Sequence, residues 1–147
     1  MLASGSPRPR RQPVKSVLRY AMAAFYVVAG VNHFRDPDFY ASLMPPYVPF
    51  HTELVALTGA LEIVLGVLVA LPRTAPIAAW GIIVMLLAFL PAHVHMLVNN
   101  HLYPQAPTGM LWLRFPIQAL LILWAFWYTA PRRAAVATSP TEATTRP

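Results

Sequence analysis

Glu62 lies near the centre of an apolar run, "TELVALTGALEIVLGVLVAL" (52–71), where an ionisable side chain marks a candidate functional site. Thr58, Gly59 and Gly66 stand at i−4, i−3 and i+4 from it, so the four share one helix face. Small residues there let a neighbouring backbone come close, which turns Glu62 toward protein and away from lipid. Unpaired at that depth, a carboxyl stays neutral. Beside Arg114 or a protonated histidine it could stay charged. Either state suits proton handling or capture of a polar ligand. The competing account is a packing clamp with no chemistry of its own.

Other polar groups interrupt the neighbouring apolar runs: Asn32 and His33 in "GVNHF", His93 and His95 in "LPAHVHML", and Arg114 and Gln118 in "RFPIQ". Histidine beside a carboxylate is suited to proton transfer near neutral pH. The two histidines of "LPAHVHML" do not make a metal site, because side chains at i and i+2 of a helix point about 200° apart and helical ligand pairs need i,i+3 or i,i+4. One of them should therefore face the bundle and the other a neighbour or the interface. His93 lies one turn after Phe89 and two after Met85, a large-residue face, and is expected to be the inward one. Pro91 removes a backbone hydrogen bond to Leu87 and should kink the helix. Gln118 is expected to make an interhelical hydrogen bond. Arg114 could equally anchor its helix at the interface. His51 and His101 fall in loops and read as solvent-facing. No nucleophile constellation is visible, no metal is expected and no catalytic residue is assigned, so the isolated chain leans away from being an enzyme.

The elements that must position these groups are apolar helices. Of the 147 residues 57% are hydrophobic and only 11% charged, against about 25% charge in a soluble domain. Four runs, at about 17–34, 52–71, 76–98 and 110–129, are each near the roughly 20 residues that span a bilayer core. Continuous rather than alternating apolarity argues against a β-barrel. The expected fold is an all-α integral membrane four-helix bundle over 17–129, between a disordered basic tail at 1–16 and a disordered tail at 130–147. The absence of cysteine excludes disulfides and thiolate metal sites. The net charge of +6 does not point to nucleic acid. Nine of the eleven Lys and Arg residues sit in the N-terminal segment up to Arg19, in the "PRTAP" turn and in the C-terminal tail. That bias places both termini in the cytoplasm of a cell with this protein in its plasma membrane. His33, His93, His95, Arg114 and Gln118 then fall in the outer half of the bundle, with Glu62 near mid-membrane. Arg19 should snorkel to the surface. The loop at 35–51 carries three more prolines after Pro37 and several large apolar residues, and should lie across the outer mouth as a cap. Asp36 and Pro37 can start a short helix there as N-cap and first position.

At "GVNHF" (30–34), "MPPYVP" (44–49), "TGALEIVLG" (58–66) and "PAHVHM" (91–96) the chain resembles the DoxX-like family of small four-helix membrane proteins. The resemblance runs over about 17–128, and His33, Pro45, Pro49, Gly59, Glu62 and Pro91 match best. Family members often carry Asn and Tyr where this chain has His93 and His95. The resemblance implies a four-helix membrane bundle, with links in some members to thiosulfate–quinone oxidation and to redox or oxidative-stress complexes. On that basis the expected function is an accessory or quinone-associated component of a membrane redox system, with a pocket of Glu62, His33 and His93 taking a quinone headgroup or a partner protein. No cofactor is assigned beyond that quinone. Two alternatives use the same residues: a small proton-coupled transporter, which with four helices would need to form a homo-oligomer, and a structural or assembly protein without activity.

Overall fold

Proline at a first helical turn costs nothing, because its missing N–H would have no partner there. Three helices among the described residues begin that way. The computed structural model describes residues 13–130. α1 (Pro13–Arg35) starts four residues earlier than expected, so Pro13–Ser16 is helix rather than tail. α2 (Pro37–Ser42) starts behind Asp36, whose side chain accepts from the Phe39 N–H at 3.3 Å. α3 (His51–Ala70) follows Phe50, a non-glycine residue in the left-handed region at φ 58°. α4 (Ala75–Val98) has Pro76 in its first turn, and the α3–α4 turn is closed by the Thr74 hydroxyl donating to the Leu68 carbonyl at 2.6 Å. A 3-10 turn (Asn100–Leu102) leads to α5 (Thr108–Phe126), which ends three residues before the expected boundary. The terminal stretches 1–12 and 131–147 lie outside the described residues.

α1, α3, α4 and α5 are each long and apolar enough to cross a bilayer, which makes the chain an all-α, multi-pass membrane protein. α1 and α3 pack closest. A Cβ on Gly30 would stand 2.5 Å from the Gly59 carbonyl oxygen, and one on Gly59 would stand 2.6 Å from the His33 Cβ. Only glycine allows this approach. α3 packs on α4 and α4 on α5, and α1 comes closer to α3 than to α5. The α1–α5 seam is drawn together near the termini, where the Tyr128 hydroxyl donates to the Lys15 carbonyl at 3.0 Å.

The main core, with Met22, Tyr26, Val69, Ala79, Ile82, Ala125 and Tyr128, fills the terminal side of the bundle. A second cluster of Leu43, Met96, Tyr103, Ala106 and Leu111 sits under the loops at the other end. There the two long loops are tied together. Gln105 donates to the Ser42 carbonyl at 3.1 Å, and the Tyr103 hydroxyl reaches the Met44 carbonyl at 3.5 Å. His51 is half-buried rather than solvent-facing, because its Nε2 donates to the Pro45 carbonyl at 3.1 Å and holds the proline-rich loop over α3. His101 is exposed. Arg19 also departs from expectation. It is 5% exposed, with its guanidinium 5.2 Å from the Tyr20 ring, instead of extending to the surface.

Candidate functional site

The glycine contact between α1 and α3 sets the geometry around Glu62. With Gly59 one turn before it, α1 comes close enough for His33, in the last turn of α1, to place Nδ1 3.5 Å from Glu62 Oε2. Both side chains are buried. His33 Nδ1 donates to the Ala29 carbonyl at 3.0 Å. A carbonyl can only accept, so Nδ1 carries the proton and Nε2 is left to accept or to take up a second one. The Nδ1 proton is directed at Ala29. The contact with Glu62 is therefore electrostatic rather than a hydrogen bond, and Glu62 Oε2 is buried without a hydrogen-bond partner. Tyr26, two turns before His33 on α1, likewise buries a hydroxyl with no partner.

Tyr40, from α2, covers this pair. Its ring stacks on the His33 imidazole with centroids 3.8 Å apart. Burial holds the Tyr40 phenol above its ordinary range, the Glu62 and Asp36 carboxylates add to that, and Arg114 opposes it. Glu62 and Arg114 thus act on the same hydroxyl from α3 and α5. They do not pair with each other: the carboxylate of Glu62 is in contact with His33. Beyond Tyr40, a cleft of about 370 Å³ is lined by Asn32, Arg35, Asp36, Phe39 and Tyr40. Asn32 is exposed there and does not turn toward Glu62.

A second polar pair joins α4 to α5. Gln118 is buried, and its Nε2 donates to the Leu86 carbonyl. Its Oε1 must then be the acceptor facing His93 Nδ1 at 2.9 Å, so that Nδ1 also carries a proton. Pro91 lies inside α4 and Pro116 inside α5, on either side of this tie. His93 therefore turns toward α5, and its hydrogen bond goes to Gln118 rather than to Glu62. His95 turns to the loop cap. Its ring meets Tyr47 and Tyr103 edge-on, with centroids 5.1 and 6.1 Å away, and its Nε2 is buried without a partner.

Residues 22–129 match the model of a family described as a domain of unknown function, DUF8561. The chain belongs to the DUF8561 family. No curated protein and no solved structure matches it. The matched segment of this DUF8561 chain holds all of the polar groups described above, whereas Lys15 and Arg19 precede it.

The arrangement brings Glu62 and His33 together, places Tyr40 over them and sets Arg114 nearby. It keeps His93 with Gln118 as a separate pair. Tyr40 is the group that sequence reasoning passed over, as one apolar residue of the cap. A signal for it existed: the Asp36-Pro37 start folds a short helix back over the end of α1, so an aromatic in its first turns returns over His33. Tyr26 carried no such signal. Chemically, the Glu62–His33 couple offers one carboxyl oxygen and one imidazole nitrogen without hydrogen-bond partners, in a site the Tyr40 ring shields from the cleft. Such groups can bind a polar headgroup or pass a proton.

Proposed function

We propose that this protein is a quinone-associated accessory component of a membrane redox system, resembling the DoxX-like proteins, with its site at Glu62 and His33 on the outer half of the bundle. The observation that carries the reading is the buried, unpartnered Glu62 Oε2 at 3.5 Å from His33 Nδ1 under the Tyr40 ring. Reducing a quinone to a quinol takes two electrons and two protons. A partner protein supplies the electrons, and His33 and Glu62 hold and exchange the protons at the headgroup oxygens. The bias of Lys and Arg toward the termini and the α3–α4 turn supports cytoplasmic termini in the cell membrane, with α2 and the long loops outside. Full-length protein in lipid nanodiscs should gain thermal stability from decylubiquinone, by about 2.7 kcal/mol at a hundred times Kd. Glu62→Gln should lose that gain. A wild-type protein whose unfolding is indifferent to quinone ends the proposal.

One observation favours a second reading, a structural or assembly role. Glu62 lies in the tight α1–α3 interface, one turn from the Gly59–Gly30 contact. If packing is its whole purpose, Glu62→Gln lowers stability equally with and without quinone.

A further inference from the structure

We infer that the end of the bundle that carries the chain termini holds the phosphate of an anionic phospholipid, with the Arg19 guanidinium as its principal partner. This site is separate from Glu62 and does not depend on the quinone reading. Lys15 and Arg19 are one turn apart on α1 and share a face. Arg19 is 5% exposed, and its Nε is buried without a hydrogen-bond partner. Lys15 Nζ stands 5.6 Å from the Trp127 ring centre and 5.5 Å from that of Tyr128. Burial holds the Tyr128 phenol above its ordinary range, while a hydrogen bond with Trp124 and the charge of Arg19 act against that, so the guanidinium lies within electrostatic reach of Tyr128.

No protein anion meets these cations among the described residues. Asp36, Asp38 and Glu53 lie in α2, its cap and the first turn of α3, all at the loop end, and Glu62 is engaged with His33. A buried guanidinium without a counter-ion is costly. The first turns of a spanning α1 lie at headgroup depth, where Trp127 and Tyr128 also sit as interfacial aromatics do. A phosphodiester there supplies the missing charge, and its two free oxygens fit the guanidinium fork. Basic pockets between membrane helices take phosphate headgroups on the same grounds. A choline headgroup would bring a cation against Lys15, so phosphatidylglycerol should be preferred to phosphatidylcholine.

The test uses full-length protein taken from nanodiscs of equimolar phosphatidylglycerol and phosphatidylcholine, with retained lipid counted by native mass spectrometry. Wild type should retain phosphatidylglycerol in excess, by about fivefold for each basic side chain engaged. Arg19→Gln, which removes the principal partner, should lower that excess by about fivefold or more, and Lys15→Gln by less. Equal retention of the two lipids by wild type overturns the site, as does undiminished selectivity in a folded Arg19→Gln protein. If Arg19→Gln does not fold, the wild-type ratio and Lys15→Gln decide. Two rivals have their own arms. Inorganic phosphate that stabilises the detergent-solubilised protein as well as phosphatidylglycerol does would make the ligand a free anion. Glu142→Gln that matches the stability loss of Arg19→Gln, without lipid selectivity in wild type, would make the counter-ion the chain's own tail. Either result overturns the lipid assignment.

Discussion

The imidazole of His33 and the phenol ring of Tyr40 lie face to face, 3.8 Å between centroids and 22° from parallel, although they belong to different helices on either side of a sharp turn. The stack makes Tyr40 the cover of Glu62. Aromatic pairing of this kind contributes about 0.5–1.5 kcal/mol beyond buried area. Tyr40→Ala should therefore speed the reaction of Glu62 with a hydrophobic carbodiimide by roughly two- to tenfold, while Tyr40→Phe, which keeps the ring, should react like wild type. Labelling by mass spectrometry reads this directly, and an unchanged rate in Tyr40→Ala would remove Tyr40 as the cover.

Gly59 and Gly109 make a matched pair for the α1–α3 contact. A methyl group at Gly59 meets the His33 Cβ at 2.6 Å and the Gly30 carbonyl oxygen at 3.0 Å, whereas at Gly109 it meets nothing within 4 Å. Gly59→Ala should cost about 1–3 kcal/mol of stability. Gly109→Ala, in the first turn of α5, should be neutral or stabilising by up to about 1 kcal/mol. Unfolding in mixed micelles by increasing SDS fraction compares them, and equal effects would contradict the close approach.

The tie between Gln118 and His93 can be separated from His95 by double-mutant cycles. Interhelical hydrogen bonds of membrane proteins average about 0.6 kcal/mol, with a maximum near 1.7. A coupling of that size is expected for Gln118→Leu with His93→Ala, and none for Gln118→Leu with His95→Ala. A reversed pattern would exchange the two histidines.

Tyr103 ties the second loop to the first, and burial, then Tyr47, holds its phenol above the ordinary tyrosine range. An acid whose folded-state pKa is raised favours the folded state wherever it is neutral. That contribution is complete below about pH 10, the unfolded value, and is lost as pH rises through the higher folded one. Melting temperature should fall above about pH 10 more steeply in wild type than in Tyr103→Phe. Parallel curves would show that the phenol does not report on folding.

Much of the scaffold could be read from the residues in order. Apolar run length announces four spans, and the Thr58, Gly59, Glu62 and Gly66 face announces which side of α3 meets another helix. What could not be read depends on how helices rotate about their axes and how loops return. Gln118 and His93 meet because α4 and α5 turn particular faces to each other, and no spacing within either helix encodes that. His51 looks like a loop residue until the Pro45 carbonyl is brought back over it. Arg19 follows the rule that long cations extend to the surface only until α1 is seen to bury it beside Tyr128. Pro13 begins a helix because the first turn tolerates its ring, although the stretch around it has the composition of a tail.

The exposed apolar flanks of the spanning helices have a practical consequence for any molecule that the bundle takes up. Those flanks face acyl chains, not water. A lipophilic compound would arrive by diffusing sideways within the leaflet, already partitioned and oriented, with its tail left outside between the lipids. Its occupancy would then follow its mole fraction in the membrane. Titrations at different lipid-to-protein ratios should collapse onto one curve when plotted against mole per cent of lipid and scatter when plotted against bulk molarity.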